Sequence, residues 1–134
     1  MAAESKILPL RTESDVVQAR TAVRELCQQL KLSLVDQTKF ITAASELARN
    51  TVIHGKGGEM EMQVLSTGIR TGARLSFIDT GPGIPDIPLA MKDGYTTGSG
   101  MGLGLSGAKR LSDEFTIDSQ PGKGTRITIT RWKR

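Results

Sequence analysis

Between Thr12 and Leu30 the apolar residues Val16, Ala19, Val23 and Leu30 recur at helical spacing. That stripe predicts a helix over about Asp15 to Leu30, with Thr12 or Ser14 as the cap whose hydroxyl accepts a first-turn amide. Ser33 repeats the start signal, with Asp36 three residues on as an acidic near-match to a capping box. Phe40, Ala44 and Leu47 carry this second stripe as far as the glycine cluster at Gly55 to Gly58. The period then drops to two. EMEMQVLS alternates, TGIRTG has turn composition, and ARLSFID runs on to DTGPGIP, which together read as a hairpin. FTIDSQ, PGKG and TRITITRW read as a second hairpin, and KILPL as a short opening strand. Ile84 to Gly98 carries several breakers and is expected to be a loop with at most one short helix near Pro88 to Lys92. A last helix is expected over Gly102 to Leu111. The order predicts an α+β two-layer sandwich, a mostly antiparallel sheet covered on one face by about three helices.

Composition narrows the class. A chain of 134 residues with 37% hydrophobic content suits one domain, spanning 1–134, that buries a core. It has no apolar run of about 18 residues, and MAAESKILPL lacks the features of a secretory signal, so a soluble, cytoplasmic protein with no membrane partner is expected. Cys27 is the single cysteine; it falls in the first helical pattern and is read as packed. The net charge is +4, but Lys and Arg are scattered apart from the terminal RWKR, and aromatics make up only 4%. A solvated tail is favoured over phosphate-backbone contacts, and no nucleic-acid partner is expected.

Three segments carry candidate chemistry. GSGMGLGLSGAKR, residues 98–110, holds five glycines in ten residues before a helix. Gly102, Gly104 and Gly107 match the dinucleotide fingerprint, but a polar loop precedes them and the second acidic strand is missing. PGKGTR lacks the Gly-Lys-Ser/Thr of a P-loop and opens no helix. Either the glycines let backbone amides approach a phosphate, or they close-pack a loop tip. Asp79 ends the apolar run LSFI and either caps its own turn or accepts a hydrogen bond from an adenine amine. The aspartic-protease reading of Asp-Thr-Gly fails because those enzymes are almost all β, whereas this chain starts with two long helices. Glu46 and Asn50, four residues apart, share a helix face: either a solvated face, or an acid beside an amide that can ligate Mg²⁺. His54, near the helix end, reads as a dipole partner without chemistry.

Taken in order, SELARN, DTGPGIPD, DGYTTGSGMGLGLSGAKRL, DEF and the late Gly124-Thr125 resemble the N box, G1 box, G2 box and closing Gly-Thr of the GHKL (Bergerat-fold) ATPases. The match is most like the RsbT-type serine-protein kinases, small anti-sigma and switch kinases, and it covers nearly the whole chain. The resemblance implies ATP and Mg²⁺ as cofactors, with Glu46 as base or nucleophile-orienting acid and Asn50 as magnesium ligand. It implies Asp79 as adenine acceptor, Gly81 and Gly83 as room for the base, and Thr125 near the adenine. Gly98, Gly100, Met101, Gly102, Leu103 and Gly104 form the phosphate segment, with Gly100, Gly102 and Gly104 as the cradle, and 84–99 is a short ATP lid. Arg49 and Lys92 are further cations near phosphate, a role that exposed cations rarely fill.

The implied activity is a serine/threonine-protein kinase acting on a STAS-domain antagonist or a stressosome scaffold, which regulates a downstream phosphatase or other regulator. A nucleotide-regulated anti-sigma or partner-binding module without catalysis is the alternative. Neither a phosphoaccepting-histidine helix pair nor a transducer domain is expected, which disfavours sensor histidine kinases, topoisomerases and chaperones. The resemblance leaves a homodimer open.

Overall fold

Thr12 and Asp15 close a reciprocal cap at the start of the first helix: the Asp15 amide donates to Thr12 Oγ1 at 3.2 Å, and Asp15 Oδ2 accepts from the Thr12 amide at 3.2 Å. The helix accordingly begins at Glu13, ahead of the expected Asp15, and Thr12 rather than Ser14 is its cap. The computed structural model describes residues 2–92 and 104–134. Along the chain come β1 (Ala2–Leu10), α1 (Glu13–Gln29), α2 (Leu34–Ile53), β2 (Gly58–Ser66) and β3 (Thr71–Asp79). α3 (Ile87–Ala90), α4 (Gly104–Arg110), β4 (Glu114–Ser119) and β5 (Thr125–Trp132) follow. The opening strand is longer than KILPL, and α3 is the single turn anticipated in the loop. The expected start of α4 at Gly102 lies outside the described residues.

The five strands form one antiparallel sheet in the order β1-β2-β3-β5-β4, so the fold is the expected α+β architecture. Alternation decides which side is which. Met60, Phe77 and Ile127 are register partners across β2, β3 and β5, as are Met62, Leu75 and Ile129, and all six are buried. Against them pack Val16, Ala19 and Val23 of α1 and Phe40, Ala44 and Leu47 of α2, in one continuous core. The other side is polar. Ser76 and Thr128 share a hydrogen bond at 3.2 Å, Arg74 Nε donates to Thr130 Oγ1 at 3.3 Å, and Arg126 lies 3.8 Å from Glu61.

One charge interrupts the apolar side. After Ile127 and Ile129, the next core-facing position of β5 is Arg131, which is buried and pairs with the buried Asp36 in the first turn of α2. Arg131 Nη1 also donates to Leu111 O at 3.1 Å and lies 3.7 Å from Asp113. The arginine therefore ties the start of α2 to the segment after α4. The structure corrects two expectations here. Ser33 caps α2 by accepting from the Asp36 amide at 3.1 Å, but the Asp36 carboxylate turns to Arg131 and closes no box. RWKR is not a solvated tail, since Arg131 and Trp132 are buried and belong to β5. Trp132 Nε1 donates to Glu114 Oε2 at 2.8 Å, and the Arg70 guanidinium sits 4.0 Å over its ring.

Cys27 is fully buried in α1, and burial pushes its thiol up to about 11, as suits a packing residue without chemistry. The Arg131 guanidinium, by its hydrogen bond and its charge, holds the Asp36 carboxyl below the usual carboxylate range. Burial works in the opposite direction, while Ser33 and Arg134 add to the lowering. Arg131→Met strands Asp36 and is expected to cost about 3–5 kcal/mol in urea unfolding at neutral pH, whereas a joint apolar replacement of both partners comes close to neutral. The folded Asp36 value lies below the unfolded one of about 3.9, so its contribution is complete above that pH and disappears as pH falls through the folded value. Unfolding midpoints measured down the acid range should therefore fall less steeply in Asp36→Asn than in the parent.

Candidate functional site

Where α2 ends over the sheet, its last turns and the ends of β3 and β5 enclose a cleft of about 390 Å³, open mouth included. Sheet register creates the polar end: Asp79 is the final residue of β3 and the direct partner of Thr125, the first of β5. Leu47, Phe77, Ile84 and Ile127 contribute the apolar surface, and Asn50, Thr51, His54, Gly55 and Gly83 complete the lining. This mix of apolar wall with few polar groups suits a small organic ligand.

The polar groups are held by the chain itself. Asp79 Oδ1 accepts from the Gly81 amide at 3.0 Å, so the carboxylate does cap its own turn while it lines the cleft. Its other oxygen lies over Gly55, where an added Cβ would come within 2.4 Å of Oδ2. Gly55 must therefore lack a side chain for Asp79 to sit where it does. Ser119 Oγ donates to Gly124 O at 3.1 Å and lies 2.8 Å from Thr125 Oγ1. Either hydroxyl can donate in the Ser119–Thr125 bond, and in both cases a Thr125 lone pair remains as an acceptor.

Four of the residues singled out in the sequence, Asn50, Asp79, Gly83 and Thr125, meet in this one cleft. Gly83 has φ +77 and passes Gln120 O so closely that a Cβ would sit 2.2 Å from it. Gly81 does not line the cleft; its bare Cα accommodates the Gly55 carbonyl, 2.6 Å from where a Cβ would be. Glu46 lies one helical turn before Asn50 and outside the lining. Its side chain is only 4% exposed, Oε2 is 3.8 Å from Arg49 Nη1, and Oε1 is buried without a hydrogen-bond partner. Gly104 opens α4. Gly98, Gly100, Met101, Gly102 and Leu103, and the lid residues 93–99, lie outside the described residues.

Sequence reasoning passed over Gly55 and His54 as lining residues, although the steps from Asn50 to His54 and from Glu46 to Asn50 are equal and place all three on one helix face. Nothing local marks Phe77, Ile84, Ile127 or the supporting Ser119. Among the described residues no group of three or more His, Cys, Asp or Glu is placed to hold a metal. The donor set suits an ion that needs few protein ligands: magnesium is commonly held by one or two side chains together with water and substrate phosphates. Asn50, a turn from the buried, unpartnered Glu46 oxygen, fits that description.

Residues 35–134 match the sequence profile of the family described as histidine kinase-, DNA gyrase B-, and HSP90-like ATPase. The chain is 41% identical over 125 residues to the serine/threonine-protein kinase RsbT of Bacillus subtilis (strain 168), covering 93% of this chain and 94% of that protein. It is 32% identical over 119 residues to the anti-sigma F factor of Thermoanaerobacter sp. (strain X514), covering 85% and 82% respectively. In fold it resembles the crystal structure of the RsbU and RsbW domains of Rv1364c from Mycobacterium tuberculosis, with TM-score 0.66 and 23% identity over 98% of this chain, which spans about a third (33%) of that longer one. The cleft, the order of its motifs and this pattern of similarity converge: the chain belongs to the histidine kinase-, DNA gyrase B- and HSP90-like family of ATP-binding domains.

Proposed function

We propose that this protein is a serine/threonine-protein kinase that transfers the γ-phosphoryl group of MgATP to a hydroxyl on a partner protein. The observation that carries the reading is the cleft: an acceptor pair, Asp79 and Thr125, at one end, and Asn50 with the unpartnered Glu46 oxygen a turn away. The 41% identity to a serine/threonine-protein kinase over nearly all of both chains supports the same reaction class. An adenine exocyclic amine donates where Asp79 accepts, whereas guanine would turn a carbonyl toward the carboxylate. The apolar surface of Leu47, Phe77, Ile84 and Ile127 suits the faces of a purine.

Phosphoryl transfer asks a protein mainly for alignment and charge compensation. The attacking hydroxyl oxygen forms a bond to the γ-phosphorus while the bond to the β,γ-bridging oxygen breaks; the hydroxyl proton passes to Glu46 and ADP leaves. Asn50 would hold magnesium, which supplies charge neutralisation across the phosphate oxygens when bound. Backbone amides of the run from Gly98 to Gly104, including Gly100 and Gly102, would surround the phosphates. A STAS-domain antagonist or stressosome scaffold in the cytoplasm is the proposed acceptor, with a downstream phosphatase or other regulator as the output. A second reading is a module in which nucleotide occupancy governs capture of a regulator without transfer; the similarity to an anti-sigma F factor supports the capture.

Incubation with γ-labelled MgATP and STAS-domain proteins tests the choice: label on a serine or threonine supports the kinase, and nucleotide-dependent association without label supports the binding module. Glu46→Ala is expected to retain nucleotide binding and to lose at least about 100-fold in transfer rate; parental turnover would remove Glu46 from the base role. Asp79→Asn is expected to weaken ATP binding by about 10- to 100-fold in calorimetry, because a charged acceptor is lost. Asn50→Asp changes the ligand's charge and is expected to shift the Mg²⁺ dependence of transfer, read from a metal titration at fixed ATP.

A further inference from the structure

Buried carboxylates are normally fully hydrogen-bonded, and Glu46 is not: it has an ion-pair partner in Arg49 but no hydrogen bond at Oε1. Among the described residues, its Oε1 is the only buried side-chain oxygen without a partner. Its Oε2 faces Arg49, three residues along the same helix, at 3.8 Å. That separation is beyond hydrogen-bond range but well inside the range of charge attraction. Asp36 differs: it is also buried, yet it hydrogen-bonds to Arg131 directly. Arg49 is itself only 25% exposed, so its charge is less screened than that of a surface cation.

We propose that Arg49 is a positioning residue for the phosphoryl transfer: its charge offsets the buried Glu46 carboxylate and holds it by Oε2, which leaves Oε1 open to receive the hydroxyl proton. The inference rests on the reading of Glu46 as the base. A closer pairing would occupy the carboxylate as Arg131 occupies Asp36, and no cation at all would leave a buried charge uncompensated. The loose i,i+3 geometry avoids both. Arg49 thus acts through Glu46 and needs no contact with the nucleotide.

A double-mutant cycle separates this from a direct phosphate contact. The readouts are calorimetric affinity for MgATP, loss of the γ-label from MgATP to water or to a STAS-domain acceptor, and the urea unfolding midpoint. In the parent background Arg49→Met is expected to leave MgATP affinity unchanged, to slow transfer by about 10- to 100-fold and to lower the midpoint. Arg49→Lys, which keeps the charge, should restore most of the rate. In a Glu46→Gln background, where no buried charge needs compensation, Arg49→Met should change neither the residual rate nor the midpoint. Equal losses in both backgrounds would overturn the proposal, as would weakened MgATP binding with unchanged transfer at saturation. Failure of the base reading itself looks different: Glu46→Gln alone would then transfer at the parental rate, while the unfolding cycle still reports whether Arg49 compensates Glu46.

Discussion

Helix α2 lies over the sheet because Phe40, Ala44 and Leu47 are buried in one core with Phe77, Ile127 and the apolar stripe of α1. The rest of the site depends on that apolar seam. With Leu47 seated, Asn50 is carried to the end of β3, and the last turn of α2 is brought over Asp79. Packing is unforgiving at this density, so a helix fixed along one stripe has its remaining faces fixed as well. The polar residues of α2 thus take their positions from apolar ones they need not touch.

The two buried acids of α2 illustrate how one helix serves two ends. Asp36, in the first turn, is paired with Arg131 and joins the helix start to β5 and to the chain after α4. Glu46, three turns later, keeps a buried oxygen without a partner. A directly hydrogen-bonded buried pair pins elements together, while a buried carboxylate oxygen left without a partner costs stability. The glycines near the cleft follow similar logic. Gly55 and Gly83 allow backbone and carboxylate to approach more closely than any side chain would permit, which lets strand ends and loops converge on a small volume.

Much of the fold was legible because the signals are local. EMEMQV announces a half-buried strand by period two, the Thr12 and Ser33 caps mark both long helices, and the glycine clusters separate the hairpin strands. The misreadings share a cause. Asp36 looked like a cap and RWKR like a tail because each makes sense locally, and only the contact between residues 95 positions apart reveals the buried pair. Within the candidate site, Asn50, Asp79, Gly83 and Thr125 were legible as motif residues. Ile84, Phe77, Ile127 and Ser119 carry no chemistry that a motif can register, and they matter through where they lie.

By itself the sequence determined the elements, their order, and which face of each is apolar, since periodicity and capping are properties of neighbouring residues. Tertiary structure alone decided that Asp79 and Thr125 would be cross-strand partners at the polar end of the cleft, that Arg131 would find Asp36, and that Glu46 would be buried with one oxygen open. The physical reason is distance along the chain. Register and burial are set by which elements pack together, and that outcome belongs to the whole core.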